Sequence, residues 1–201
     1  MIRLLDIIIS FVGLLFFFPI FIIISIWVKI DSKGPIFFKQ IRVGQNNIDF
    51  KLYKFRSMYL KSDKKTLITI GENDLRITKS GHYIRKLKID ELPQLFNVLK
   101  GDMSIVGPRP EVRKYVDYYS PEQLKILSIK PGITDYASIE YMDENYILGK
   151  AENPNKLYVE QIMQDKLNLN LKYLEKQSVY EYFKIILLTI KYLFKKNKLE
   201  I

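Results

Sequence analysis

The longest apolar run comes first. From Ile7 to Val28 the chain reads IIISFVGLLFFFPIFIIISIWV, 22 residues without a charge between Asp6 and Lys29. As one helix this run would be about 33 Å long, which matches the hydrocarbon thickness of a bilayer. A secretory leader would have a shorter apolar region followed by a small-residue cleavage site, whereas this run leads into WVKIDSKGP. Pro19 falls near its middle. Proline lacks an N–H and clashes with the carbonyl four residues back, here that of Leu15, so the pattern predicts a break or kink at Phe18–Pro19. Two arrangements follow: a kinked span, or a hairpin that returns to the side it entered. Arg3 before the run and Lys29, Lys33 and Lys39 after it place positive charge on both flanks, which suits two ends on the cytoplasmic face.

Beyond the DSKGP turn the period drops to two. IFFKQIRVGQNNIDFKLYKFRSM alternates on either side of GQNN, with Ile48, Phe50 and Leu52 on one face, and this predicts a β-hairpin. Residues 60 to 74 are polar and irregular, a surface loop by pattern. From Asp90 onward, Leu92, Leu95, Phe96 and Leu99 keep helical spacing and Gly101 is placed to stop the helix. MSIV reads as a short strand, and GPRPE must be extended because each proline restricts itself and its predecessor. PEQLKILSIK reads as a helix with Pro121 at its first position, and a longer helical pattern runs from about Pro154 to Leu174. The last pattern, about Ser178 to Lys196, puts Val179, Phe183, Ile186, Leu187, Ile190, Leu193 and Phe194 on one side. Lys184, Lys191, Lys195 and Lys196 lie off that stripe or at its edge. Such a helix either packs its stripe into a core or lies in a membrane interface with its lysines at anionic headgroups. The fold class expected is α/β, mostly helical with a small β-hairpin, divided into a membrane segment at 1–30 and a further domain at 31–201.

Composition narrows the chemistry. The 201 residues carry a formal charge of +10, which favours anionic partners: nucleic acid, anionic lipid or phosphorylated substrates. The lack of a nucleic-acid recognition module, together with the apolar N-terminal run, argues against the first of these. Cysteine is absent and His82 is the single histidine, so disulfides, thiolate metal sites, cysteine nucleophiles and histidine pairs are all excluded.

The stretch IDELPQLFNVLKGDMSIVGPRPE, residues 89 to 111, concentrates the remaining chemistry. Asp90 takes the helix-cap position, with Pro93 in the first turn. Neighbouring helical residues face different ways, so Asp90 and Glu91 have separate roles rather than sharing one proton. A carboxylate at a helix start can act as a nucleophile toward a phosphoryl group where cations offset the added charge. Arg76, Lys79, Arg85, Lys86 and Lys88 precede it. An all-oxygen ligand set suits a hard ion such as magnesium, and Arg109, fixed between Pro108 and Pro110, offers a planar fork for phosphate. The plainer reading stays open: Asp90 caps the helix, Glu91 is solvated, and Arg109 pairs with Glu111 or Asp102.

DELPQLFNVLKGDMSIVGPRP, with QIRVGQNNIDFKLYKFRSM and KPGIT, resembles the bacterial sugar transferase family, the monotopic phosphoglycosyl transferases, over most of the chain. The resemblance implies transfer of a phosphosugar from a UDP-sugar to undecaprenyl phosphate with release of UMP, at the cytoplasmic face of the bacterial inner membrane. It implies Asp90 as covalent nucleophile and Glu91 as the residue that helps bind Mg2+. Lys54, Arg56, Arg85 and Arg109 lie in or beside the family's motif blocks and are expected at the diphosphate or the polyprenol phosphate, with solvated surface charge as the alternative. Gln40 and Arg42 belong to the same block and are open to a structural role. The family's membrane helix re-enters at a Ser-Pro pair; here Phe18 stands before Pro19, so another group must satisfy the freed carbonyl. GITDYASIEYMDE departs from the family's usual GITG-A-V-GR form, which leaves the sugar open. The runner-up function is a non-enzymatic, basic membrane-surface adaptor.

Overall fold

The apolar run forms α1, Ile2–Asp31, helical on both sides of Pro19 in the computed structural model, which describes residues 1–60 and 74–199 and side chains of the last helix through Leu193. The helix continues through Pro19. The expected surface loop falls almost wholly on residues 61–73, outside the described residues. The hairpin forms as the alternation predicts: β1 (Phe37–Val43) and β2 (Asp49–Phe55) pair antiparallel, Phe37 opposite Phe55 and Val43 opposite Asp49. Leu52 is buried and Phe50 partly so, whereas Ile48 lies beyond the strand and is exposed.

Among the described residues eight further helices follow: α2 (Lys79–Lys86), α3 (Gln94–Lys100), α4 (Arg113–Val116), α5 (Tyr136–Glu140), α6 (Glu144–Gly149), α7 (Pro154–Leu157), α8 (Met163–Glu175) and α9 (Val179–Leu199). Gly101 ends α3 with a left-handed φ of 100°, its amide reaching the carbonyls of Asn97 and Val98, a conformation that glycine adopts at low cost. MSIV supplies β3 (Ser104–Val106), which pairs parallel with β4 (Gly132–Thr134). PEQLKILSIK tightens into a 3-10 helix, Gln123–Ser128, and the long pattern from Pro154 contains one wide π turn, Tyr158–Ile162, between α7 and α8. Among the described residues the fold is mostly helical, with two small sheets.

Three apolar clusters hold these elements. One joins Phe21, Ile24 and Val28 of α1 to Phe55 of β2 and Ile84 of α2; a second centres on Leu52, Val98, Met103, Tyr173, Tyr182 and Ile185; a third on Val112, Leu148, Ile162 and Met163. α1 therefore packs along the rest of the chain. A Cβ on Gly13 would meet the Leu95 side chain at 3.2 Å, so this glycine sets the close approach of α1 to α3.

Both ends of α1 are fastened. At the start, Arg3 donates to the carbonyls of Val98 (2.6 Å) and Leu99 (2.8 Å), capping α3. The carboxylate of Asp6 accepts from the Ser104 hydroxyl, the Ile105 amide and the Tyr182 hydroxyl, each at 2.9 Å. At the finish, the Arg56 guanidinium donates to the carbonyls of Val28 and Ser32, and Asp31 accepts from the amide and hydroxyl of Ser80. The outer face is left apolar, with Leu4, Phe11, Leu15, Phe16, Ile23 and Ile30 exposed.

α9 corrects one of the two readings offered for it. Its buried core contacts are Tyr182 and Ile185, with Ile186 of the predicted stripe and Leu188 packed beside them, while Phe183, Leu187, Ile190 and Leu193 of the stripe are exposed. Most of the stripe therefore lies off the packing face. Phe194 and the terminal lysines lie beyond the described side chains.

Candidate active site

The motif residues converge on one cleft of about 330 Å³ between the hairpin, the start of α3 and the helices from α5 to α8. Eight cations line it against four carboxylates: Arg42, Lys54, Arg56, Arg76, Arg85, Lys88, Arg109 and Lys166 face Asp90, Glu91, Glu111 and Glu144. A cleft with this balance concentrates anions.

Local backbone geometry delivers the two carboxylates. Lys88 adopts a left-handed φ of 57°, turning the chain sharply out of α2 into a 3-10 turn over Ile89–Glu91. A non-glycine residue in that region is uncommon and clusters at functional sites. Asp90 therefore sits inside the turn and does not cap α3, whose N-cap position is Pro93 with no side-chain bond. The capping reading is set aside by this placement. Asp90 is only 5% exposed, lines the cleft, and has no hydrogen bond to its carboxylate among the described residues. Burial and the neighbouring Glu91 push its pKa above the ordinary 3.8, against the pull of Lys54, Arg85 and Arg109.

Glu91 has the opposite surroundings. Lys54, on β2, donates to Oε1 at 2.8 Å; Arg109 donates to Oε2 at 3.0 Å and also to Oε1, forming a two-pronged pair. Burial alone would raise this acid, yet Arg109 and Lys54 hold it well below the ordinary carboxylate value. Burial lowers Lys54 in turn, partly offset by Glu91. Arg109 is raised, chiefly by Glu91. The expected partners Glu111 and Asp102 take other contacts: Glu111 pairs with Arg42 at 3.1 Å and Asp102 with Lys100 at 3.1 Å.

The structure thus brings together Asp90, Glu91, Lys54, Arg85 and Arg109. It places Arg56 otherwise. That guanidinium is buried and donates to the carbonyls that end α1, so it fastens the helix as well as lining the cleft. Two residues passed over as structural or unremarked fix the Arg109 loop. Arg42 donates to the Pro110 carbonyl at 3.0 Å, and Asp135 caps α5 while accepting the Arg109 amide at 3.3 Å. The signal for Asp135 was present in GITDYASIE, an aspartate one residue before a helix. Tyr158, presented by the π turn, donates to Glu111, and nothing in the period of its sequence marks that turn.

No cluster of three or more metal-ligating side chains occurs among the described residues. Carboxylate oxygens are nonetheless the donors magnesium takes. An ionised carboxylate offers roughly four acceptor sites, and Glu91 uses three of them, two on Oε1 and one on Oε2. One site on Oε2 and the Asp90 carboxylate remain, so the residues fit a divalent ion shared with substrate oxygens.

Residues 1–196 match the family described as bacterial sugar transferase. The chain is 39% identical over 191 residues to a UDP-glucose:undecaprenyl-phosphate glucose-1-phosphate transferase of Klebsiella pneumoniae, an alignment covering 94% of this chain and 39% of that protein. It is 43% identical over 137 residues to a UDP-N-acetylgalactosamine-undecaprenyl-phosphate N-acetylgalactosaminephosphotransferase of Aeromonas hydrophila, covering 67% of this chain and 32% of that one. With a UDP-glucose:undecaprenyl-phosphate glucose-1-phosphate transferase of Caulobacter vibrioides the identity is 32% over 191 residues, covering 94% and 67%. The chain spans 32% and 39% of the length of the first two relatives. With the motif residues gathered in one cleft and the match running from the first residue of α1 into α9, this chain belongs to the bacterial sugar transferase family.

Proposed function

We propose that the protein transfers a phosphosugar from a UDP-sugar to undecaprenyl phosphate through an enzyme-linked intermediate on Asp90. The observation that carries this reading is the division of labour between neighbours: Glu91 is tied down as an anion by Arg109 and Lys54, while Asp90 faces the same cleft with no hydrogen bond among the described residues. An Asp90 oxygen attacks the sugar-bearing phosphorus, and the bridging P–O bond breaks toward the α-phosphate, so UMP leaves with that oxygen. A phosphate oxygen of undecaprenyl phosphate then attacks the same phosphorus, freeing the Asp90 carboxylate. Lys54, Arg85 and Arg109 supply positive charge where the phosphates sit. Desolvation raises Asp90 and makes its ionised form a stronger nucleophile. Magnesium held by Glu91 and Asp90 would neutralise charge on the diphosphate. The named relatives act on UDP-sugars and undecaprenyl phosphate, which supports both substrate classes. A panel of UDP-sugars assayed with undecaprenyl phosphate should release UMP from at least one donor, and chelation by EDTA should stop it. Turnover unchanged by EDTA would contradict the metal, and no release from any donor would contradict the transfer.

The same proposal places the protein on one face of the bacterial inner membrane, the cytoplasmic one, as a monotopic protein. α1 is long and apolar enough to cross a bilayer, but both of its ends are bonded to one folded body, Arg3 and Asp6 at α3 and β3, Asp31 at α2. Crossing would draw that body through hydrocarbon; re-entry keeps it in water. The outward stripe of α9 and the exposed face of α1 supply apolar surface for the lipid. Cysteines introduced near residues 3 and 33, the first at exposed Leu4 so that Arg3 is kept, should both react with a membrane-impermeant thiol reagent from the cytoplasmic side only, and labelling of the first from outside would refute re-entry.

A further inference from the structure

One wall of the cleft takes no part in the phosphoryl chemistry. Glu144 opens α6 and Lys166 lies on α8; they pair at 2.6 Å, with side chains 25% and 13% exposed, and both line the cleft. The pair leaves hydrogen-bonding capacity unused. Glu144 accepts Lys166 on Oε2, and its Oε1 has no hydrogen bond among the described residues. Lys166 sits over the Tyr158 ring, 5.6 Å from its centre, with two of its three N–H donors uncommitted by that pair. Asn145, exposed and next in sequence, lines the same wall and brings a side-chain amide to it. The wall lies next to the phosphate site: Glu144 acts electrostatically on Arg109, and Asp135, one helix earlier, holds the Arg109 amide.

A carboxylate with one open oxygen, an ammonium and an amide within one cavity is the donor and acceptor set that reads neighbouring hydroxyls; a carboxylate would repel a phosphate. Resting on the phosphosugar-transferase reading above, we propose that Glu144, Lys166 and Asn145 form the subsite that recognises a vicinal diol adjoining the diphosphate of the donor. Two parts of such a donor carry that chemistry, the hexose and the ribose. The site discriminates because a polar group that the bound donor shields from water and the wrong hydroxyl pattern leaves unpaired costs binding.

The test measures UMP release with undecaprenyl phosphate for wild-type protein, Glu144→Gln, Lys166→Met and Asn145→Ala. Donors are compared in two ratios: between UDP-hexoses that differ at one hydroxyl, and between uridine and 2′-deoxyuridine diphosphate sugars. Each ratio cancels any loss of folded protein. A change of roughly tenfold or more in the hexose ratio, the size of one lost hydrogen bond to a charged group, supports the subsite and assigns it to the sugar. The same change in the ribose ratio supports it and assigns it to the nucleoside. Ratios within about twofold of wild type in all three variants overturn the subsite while the transferase reading stands. Wild-type protein that releases no UMP from any donor overturns both.

Discussion

Two buried carboxylate regions of this molecule differ in how their charge is met. Asp6, 2% exposed, takes three hydrogen bonds from neutral groups, Ser104, Ile105 and Tyr182, and no ion pair reaches it among the described residues. Those donors come from β3 and α9, so the bonds tie three elements together. Asp90 and Glu91 lie in a cleft lined by eight cations among the described residues, none of which hydrogen-bonds the Asp90 oxygens. The first carboxylate is consumed by the fold; the second faces the cleft with its acceptor sites unfilled by the described residues. A buried acid whose acceptor sites are filled by its own chain holds architecture, and one facing a cationic cleft unbonded is suited to chemistry.

The contrast is broken most directly at Asp90. Asp90→Asn should lower the rate of UMP release by at least roughly 10³-fold, the scale for removing a nucleophile. It should leave vesicle association and the thermal unfolding midpoint unchanged or slightly raised, since a buried charge without hydrogen bonds is removed. Appreciable turnover by this variant would return Asp90 to an architectural role.

Glu91→Gln leaves Arg109 and Lys54 facing each other without their shared anion. Removing one partner of a buried ion pair costs about 3 kcal/mol, so thermal unfolding should fall, and turnover should drop roughly 10²-fold as Arg109 loses its orientation. Full stability in the variant would mean that the pairing contributes little.

Asp6→Ala should act in the opposite sense. Three donors lose a charged acceptor, an expected loss of about 3 kcal/mol, while UMP release per folded molecule stays within about twofold. A large loss of turnover at unchanged stability would place Asp6 with the chemistry instead.

pH sharpens the contrast with a smaller effect. Asp90 is raised, so its ionisation costs folded-state stability, a cost that disappears as pH falls below its folded value; turnover, which needs the ionised form, should have an acid limb above the ordinary 3.8. Glu91 is depressed, so its stabilisation is fully present above the ordinary 4.5 and is lost as pH falls through its lower folded value. Turnover should therefore fade at a higher pH than stability does. An acid limb of turnover that coincides with unfolding would remove that separation.

Period carried much of the fold. The alternation around GQNN places the hairpin, and Gly101 marks where α3 stops, because local backbone chemistry decides both. The stripe on α9 has the same period whether it faces core or lipid, and only the packing of Tyr182 and Ile185 settles the direction. Pro19 leaves the Leu15 carbonyl without its helical donor, yet α1 stays helical on both sides of it while tertiary bonds fasten both ends. In the site, DE and PRP could be read from motif and chemistry. The pairing of Glu91 with Arg109 could not, since it depends on Lys88 turning left-handed and on Asp135 holding the Arg109 amide. Arg56 carried the same charge as Lys54 two positions earlier, and strand alternation alone does not say that its guanidinium turns to the end of α1.

The central claim is that Asp90 carries the phosphosugar. Intact-protein and peptide mass spectrometry of protein mixed with a turned-over UDP-sugar, in the absence of undecaprenyl phosphate, tests it. The account predicts a mass increase equal to one phosphosugar on the peptide containing Asp90, lost on addition of the lipid acceptor and absent in Asp90→Asn. Turnover that requires both substrates together and shows no enzyme-linked species at any time would contradict it.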